Sequence, residues 1–303
     1  VVALGIVAAI GASLLYNASI ALQALEAREV PHEHSLRPSL LGRLLRNRRW
    51  LRATALGLAG WPLEIVALLL APLTVVQPCL ASGLVLLLWL GSKRLGERPG
   101  RRDALAVGAI GVGVIGVALA APQRSTDHAG AGAIALALAL VAIPIISPYA
   151  LRTRFRHSPP QRGVEVGRAN AIAILAVVSA GCGYAWTAIA SKLLTDELAA
   201  GAVLAGVAWL ATAAASEGLA LLSEMSALQR RPATHVAPTM FAIQVLVPVV
   251  LAPLIFDESW GATPLGGAVL VCSIAVAALG IVLLAGSRSV GAVIERAHPG
   301  DSE

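Results

Sequence analysis

Charge is scarce in this chain: Asp, Glu, Lys and Arg supply 13% of its 303 residues, against 57% that are hydrophobic. A water-soluble domain of this length needs far more polar side chains to cover its core, so an ordinary soluble enzyme or binding module is excluded. Cysteine is nearly absent. Cys79, Cys182 and Cys272 all fall inside apolar blocks, without the spacing of a metal site or the numbers of a disulfide framework, and they read as small buried hydrophobes. There is no Gly-x-x-x-x-Gly-Lys-Ser/Thr loop, which argues against a built-in ATPase, and neither a His-Glu-x-x-His pair nor an Asp-rich motif for polyprenyl diphosphates occurs. The sequence points away from an enzyme and calls for no cofactor.

What is present is a series of long uncharged blocks rich in Ala, Val, Leu, Ile and Gly, a composition suited to helices that pack through small residues in lipid. Mean hydropathy is +0.78. Crossing the hydrocarbon core takes about 20 apolar residues at a rise of ~1.5 Å each. On that criterion there are nine spans: Val1–Leu22, Leu51–Ala71, Thr74–Gly91, Leu105–Ala121, Gly130–Leu151, Ala169–Ser191, Ala199–Leu221, Val236–Phe256 and Gly266–Ala285. The first lacks the basic leading region of a signal peptide and is long enough to cross, so it is expected to be a membrane helix.

Basic residues sort onto alternate connections. Arg28, Arg37, Arg43, Arg46, Arg48, Arg49 and Arg52 follow span 1, and Lys93, Arg94, Arg98, Arg101 and Arg102 follow span 3. Arg152, Arg154, Arg156, Arg162 and Arg168 follow span 5, Arg230 and Arg231 follow span 7, and Arg288 and Arg296 lie in the tail. The intervening connections hold at most one basic residue each, such as Arg124 or Lys192. Basic loops stay in the cytoplasm, which predicts a multi-pass protein of the plasma membrane with its N-terminus outside and its C-terminus inside. The net charge of +6 is then a matter of topology. Nucleic acid is not an expected partner, because no basic stripe lies on a foldable soluble element.

The chain also repeats itself. Ala71-Pro72-Leu73-Thr74-Val75-Val76-Gln77-Pro78 opens span 3, and Arg231-Pro232-Ala233-Thr234-His235-Val236-Ala237-Pro238 opens span 8 with the same Pro and Thr spacing. Leu95-Gly96-Glu97 is matched by Phe256-Asp257-Glu258, Gly116 by Gly280 and, more loosely, Tyr16-Asn17 by Trp186-Thr187. Spans 1–4 and 6–9 are then two units displaced by five helices, and an odd displacement turns the second upside down. Inverted repeats build secondary transporters around a central site. The fold expected is an all-α integral membrane protein of about nine transmembrane helices. A repeat covers residues 1–121, a linking span and basic loop 122–167, an inverted repeat 168–287 and a cytoplasmic tail 288–303.

Thr74–Pro78, the apolar span after it, Leu95-Gly96-Glu97-Arg98 and the Gly-rich span that follows resemble the drug/metabolite transporter superfamily in its EamA-like branch. The nine-span layout, with a long basic loop after span 1 and a lone span between the repeats, is similar to the NIPA-type magnesium transporters. Where those proteins carry a Gly-Glu pair early in the second span, this chain has Gly60-Trp61, with the carboxylate at Glu64. The resemblance implies two inverted repeats around a central cavity, alternating access and no enzymatic activity.

Three carboxylates stand in or near spans: Glu64, Glu217 and Glu224. A charge at bilayer depth costs a few kcal/mol, about 3 on insertion scales, so it faces protein or water rather than lipid. Glu64 precedes Pro72 by the interval at which Glu224 precedes Pro232, so the two are repeat-related. Glu217 lies seven residues before Glu224, on the same helix face. Glu64 and Glu217 are expected near mid-membrane, lining one cavity from opposing repeats, and Glu224 near the inner end of span 7. Such groups couple protons or coordinate cations; they also serve as protonated bridges between helices. Asn17 and Gln244 are candidates for substrate contact or for interhelical hydrogen bonds, and the sequon at Asn17-Ala18-Ser19 is discounted because it sits inside a span. Tyr16 and Trp61 are candidate cavity walls or core aromatics, while His235, beside Arg230 and Arg231, reads as a solvated inner-face residue. Pro62, Pro144, Pro148 and Pro248 interrupt helical hydrogen bonding and are candidate helix breaks. Gly108, Gly111, Gly113 and Gly116 permit close helix approach. The basic loop His32–Arg49 is a candidate for contact with anionic headgroups; its simplest role is that of a topology anchor.

The function expected is secondary transport of a small solute or ion by alternating access, either a divalent cation such as magnesium or a proton-coupled metabolite or drug. The alternative is a scaffold or assembly subunit that keeps the fold without transporting. Membrane lipid and a small-molecule or ion cargo are the expected partners, with a homodimer open.

Overall fold

A computed structural model describes residues 2–70, 73–97, 99–120, 130–155, 162–255 and 263–285. Pro72, Arg98, Arg124, Arg156, Phe256, Asp257, Glu258 and the tail 288–303 lie outside the described residues. All regular structure among the described residues is helical: α1 Val2–Glu29, α2 Pro38–Leu44, α3 Arg48–Leu70, α4 Leu73–Arg94, α5 Arg101–Ala120, α6 Ala131–Phe155, α7 Arg162–Ala199, α8 Val203–Leu228, α9 Ala233–Ile255 and α10 Ala268–Ala285, with short 3₁₀ turns at His32–His34 and Pro264–Gly267. Seven of these, α1 and α5 to α10, are long and apolar enough to cross a bilayer, which makes the chain a multi-pass α-helical membrane protein. The remaining long helices, α3 and α4, have 23 and 22 residues.

Helices overrun the apolar blocks that seed them. α1 continues past Leu22 to Glu29, and α7 begins at Arg162 inside what reads as a loop, reaching 38 residues. The α1 extension holds no Gly or Pro, and that of α7 continues despite Gly163 and Gly167; both propagate the turn already nucleated in the apolar block.

Two sets of helices pack in the same pattern. α1 lies chiefly against α3 and then α4, while α7 lies chiefly against α8 and then α9; α5 and α10 pair with each other, and α6 covers α7. Small residues set the contacts. A Cβ at Gly60 would fall 2.9 Å from the Tyr16 ring, and one at Gly183 would fall 2.8 Å from Ala220. Along the α5–α10 seam Gly113 meets Ala277, Gly116 meets Ser273 and Gly280 meets Ile110, an order that makes the two helices antiparallel. α4 and α9 are antiparallel as well, with Gly91 beside Thr234 at one end and Leu84 clustering with Ala242 further along. Gly108 and Gly111 meet nothing, so only half of the expected glycine stripe is an interface. Cys182 is buried and Cys79 intermediate, but Cys272 is exposed on the outer face of α10 rather than buried.

The α1–α3, α4–α5 and α8–α9 connections meet at one end of the bundle, joined there by the end of α6. Arg28 reaches Glu97 and the Leu228 carbonyl, and Arg152 donates to the Glu33 carbonyl. Under this basic end lies the largest buried cluster, including Leu36, Leu40, Leu44, Trp50, Leu87, Met225 and Leu228. It plugs the bundle on that side.

Candidate functional site

Above the plug a cavity of about 700 Å³ runs between α1, α3 and α4 on one side and α7, α8 and α9 on the other. Tyr16, Asn17, Trp61, Glu64, Glu217, Glu224 and Gln244 all line it. Its wall mixes these with hydroxyls (Ser13, Thr54, Thr187) and apolar side chains (Leu58, Leu84, Phe241), and no Lys, Arg or His lines it among the described residues. The electrostatic character is one-sided: three carboxylates converge on a hollow that offers no fixed cation among its described lining residues.

Two of the carboxylates are held alike. Tyr16 on α1 donates its Oη to Glu64 Oε2 on α3 at 2.6 Å. Tyr184 on α7 donates to Glu224 Oε2 on α8 at 2.5 Å. In each case the phenol comes from the helix that the carboxylate helix packs on most closely, and a neighbouring Gly contact brings the backbones together (Gly60 on Tyr16, Gly183 on Ala220). Such O–H···O⁻ bonds are short and charge-assisted when the carboxylate is ionised. Their surroundings differ. Glu64 is half-buried, whereas Glu224 is 4% exposed. Glu224 is therefore not at an interface, as its place near the end of its helix suggests; α8 runs on to Leu228, and the plug closes over it.

Glu217 is exposed into the opening of the hollow. Next to it Ser216 Oγ donates to the Gly183 carbonyl at 2.8 Å, locking α8 to α7 at that level. Asn17 is buried and uses its Nδ2 on the Ser13 carbonyl at 2.9 Å, while Ser13 Oγ bonds the Leu80 carbonyl. Gln23 Nε2 reaches Thr54 Oγ1 at 3.0 Å. Trp61 is 64% exposed, so it is a rim residue and not a core aromatic.

The four prolines do not end their helices. α3 runs through Pro62, α6 through Pro144 and Pro148, and α9 through Pro248. What each removes is the N–H donor to the carbonyl four residues earlier. For Pro148 that carbonyl, on Pro144, takes Ser147 Oγ at 2.9 Å. For Pro62 and Pro248 the carbonyls belong to Leu58 and Gln244, two residues of the cavity wall.

At the basic end a second acidic residue is placed with equal care. α4 closes with Gly96 at φ 65°, a left-handed conformation that glycine adopts without strain, and the Glu97 N–H returns to the Gly91 carbonyl six residues back at 3.0 Å. That turn swings the Glu97 side chain into the bundle, where it accepts from Ala233 N (2.7 Å), Thr234 N (3.1 Å) and Thr234 Oγ1 (2.6 Å). It caps α9 from another part of the chain, and Arg28 pairs with it at 2.6 Å. His235, one residue further along, is 4% exposed and stands 3.5 Å from Asp103. It is not the solvated residue its Arg neighbours suggest, because the turn after α8 folds it under the plug. Burial holds the neighbouring Arg231 guanidinium below its ordinary range.

Tyr184 and the capping role of Glu97 escape a reading of the residues alone. Matching Tyr16-Asn17 to Trp186-Thr187 puts the phenol out of register; Trp186 packs into the α6–α7 cluster instead. No three His, Cys, Asp or Glu side chains converge to hold a metal ion among the described residues. The lining carboxylates thus face a shared space without forming a chelate. Comparison with protein-family models, with curated proteins and with solved structures finds no match for the chain.

Proposed function

We propose that the chain is a secondary transporter that moves a positively charged solute through the acidic hollow by alternating access. On this reading α1, α3, α4 and α5 form one repeat and α7 to α10 its inverted partner, with α6 as the linking helix and all nine long helices crossing the membrane. The matched packing of the two sets, and the antiparallel pairing of α4 with α9 and of α5 with α10, support that arrangement. The alternating basic connections support a cytoplasmic position for the plugged end, in a protein of the plasma membrane.

The observation that carries the reading is the lining itself: three carboxylates, two of them in matching Tyr–Glu pairs, and no basic side chain among the described residues. An anion would enter such a hollow against uncompensated negative charge at low dielectric. A cation, or protons exchanged for one, neutralises it. At about 700 Å³ the space exceeds a bare ion, and the absence of a three-ligand cluster among the described residues fits a cargo that keeps its water, as magnesium does, or an organic cation.

Uptake into proteoliposomes under an imposed pH gradient tests this, with magnesium and a panel of organic amines as cargo. E64Q, E217Q and E224Q keep the volume of the side chain and remove the charge. Each is expected to lower flux at least tenfold while the purified protein stays folded. Wild-type flux surviving in all three would refute the assignment.

A further inference from the structure

The α1–α3 connector carries a charge pattern that the hollow does not use. From Arg37 to Arg52 it holds Arg37, Arg43, Arg46, Arg48, Arg49 and Arg52 and no acidic residue. All six arginines are exposed, and none is ion-paired among the described residues. A simple retention signal needs only charge, and a loose loop would supply it. Here the segment is folded and bolted down. Leu40 and Leu44, one turn apart on α2, are fully buried in the plug. Leu36 N donates to Ser226 Oγ at 2.8 Å, Gln229 Nε2 to the Val30 carbonyl at 2.9 Å, and Trp50 Nε1 to Met225 Sδ at 3.3 Å. Asn47 Oδ1 accepts from Arg49 N at 2.8 Å and so starts α3, while its Nδ2 donates to Glu26 Oε2 at 2.6 Å. One face is thus packed on the last turns of α8. The other presents guanidiniums in a fixed array, with Leu45 (57% exposed) and Leu51 (41% exposed) between them.

We infer that this connector is a docking surface for the anionic phosphodiester headgroups of the adjoining leaflet. A guanidinium matches phosphate with two parallel donors, and each basic residue near an anionic surface strengthens attraction about fivefold. The exposed leucines suit a surface that enters the headgroup layer, where a soluble polyanion would gain nothing from them. Because the connector is fastened to the turns of α8 just beyond Glu224, bound headgroups brace the plugged end of the hollow. This inference does not depend on what the hollow carries.

The test uses the full chain in a neutral detergent and follows its thermal unfolding as phosphatidylglycerol, phosphatidylcholine or soluble glycerol phosphate is added, with native mass spectrometry counting retained lipid. Phosphatidylglycerol is expected to raise the unfolding temperature and to be retained in preference to phosphatidylcholine. R43Q/R46Q/R48Q/R49Q is expected to weaken that effect about tenfold or more. K93Q/R94Q/R101Q/R102Q, which removes equal charge from the exposed neighbouring connection, is expected to leave it within about twofold. Equal retention of the two lipids by the wild-type chain overturns the inference, whatever the variants do. So does an equal loss in both variants, or a glycerol phosphate response as large as that to the lipid.

Discussion

Removing the carboxylate of Glu97 is expected to loosen the basic end of the bundle, and the structure sets the scale. Glu97 is 6% exposed and accepts three hydrogen bonds from the first turn of α9 and one from Arg28. In E97A the Ala233 and Thr234 amides lose their partner under the plug and Arg28 loses its counter-ion. Breaking a buried pair on one side costs about 3–5 kcal/mol. E97Q keeps an acceptor of the same shape but forfeits the charge assistance and the attraction to the helix N-terminus, for a cost of about 2 kcal/mol. R28Q removes only the partly exposed partner and costs less. Because R28Q and E97Q act on one interaction, the double variant should be less destabilised than the sum of the single ones.

Unfolding titrations of the four proteins in mixed micelles measure these differences. A second readout separates capping from general stability: a cysteine at Thr234, in a chain with Cys79, Cys182 and Cys272 replaced by alanine, labelled by an impermeant maleimide in sealed vesicles. With Glu97 intact the position is 1% exposed and should label slowly; with E97A labelling should accelerate at least tenfold. The reasoning fails if E97A unfolds within about 0.5 kcal/mol of wild type, the spread of neutral surface changes, or if labelling does not change.

Two further outcomes follow from the same contacts. Y16F and Y184F each delete one phenolic donor to a carboxylate, worth about 1.5–3 kcal/mol when charged, so each should cut transport about tenfold, with Y184F also lowering the unfolding temperature because Glu224 is the more buried acid. Gly113→Leu should destabilise by more than about 2 kcal/mol by overpacking the α5–α10 seam, where a Cβ falls 2.5 Å from the Ala277 nitrogen, whereas Gly108→Leu, with nothing within 4 Å, should be tolerated; equal effects would show that the seam is not tight.

Apolar blocks are visible in the sequence because hydropathy is summed over some 20 residues; a helix runs through each of the nine blocks among the described residues, and seven of the helices are long and apolar enough to cross a bilayer. Helix ends are not visible in the same way. α7 reaches back to Arg162 because polar residues extend a helix that an apolar neighbour has nucleated. The spacing of Leu40 and Leu44 on α2 is legible as an i, i+4 pair; that both are buried against α8 is not, since it depends on a partner some 180 residues away. The same holds at the site. A carboxylate inside an apolar block announces itself through its cost, and Glu64, Glu217 and Glu224 all face the hollow. Tyr184 carries no such cost and hides among other apolar residues. Glu97 stands out only as a marker of the repeat, because capping a helix from 136 residues away is a property of the packed state.

The two Tyr–Glu pairs also bear on how the proposed transporter would move. Halves of like sequence pattern and opposite orientation cannot both be in one conformation while a single side is open; if they could, the protein would be sealed or open at both ends. In this structure the pairs are indeed unlike: Glu224 is enclosed by α7, α8 and the plug, while Glu64 is half-buried on α3, which packs well on α1 and only slightly on α4. The Glu97 cap and the hydrophobic cluster close the basic end. On the proposed reading, opening that end requires α9 to leave Glu97, and the exchange of roles between halves then requires Glu64 to become the enclosed acid and Glu224 the accessible one. Cargo or protons can satisfy only the accessible carboxylate at each stage, so the same pair of residues that binds would also report which side is open.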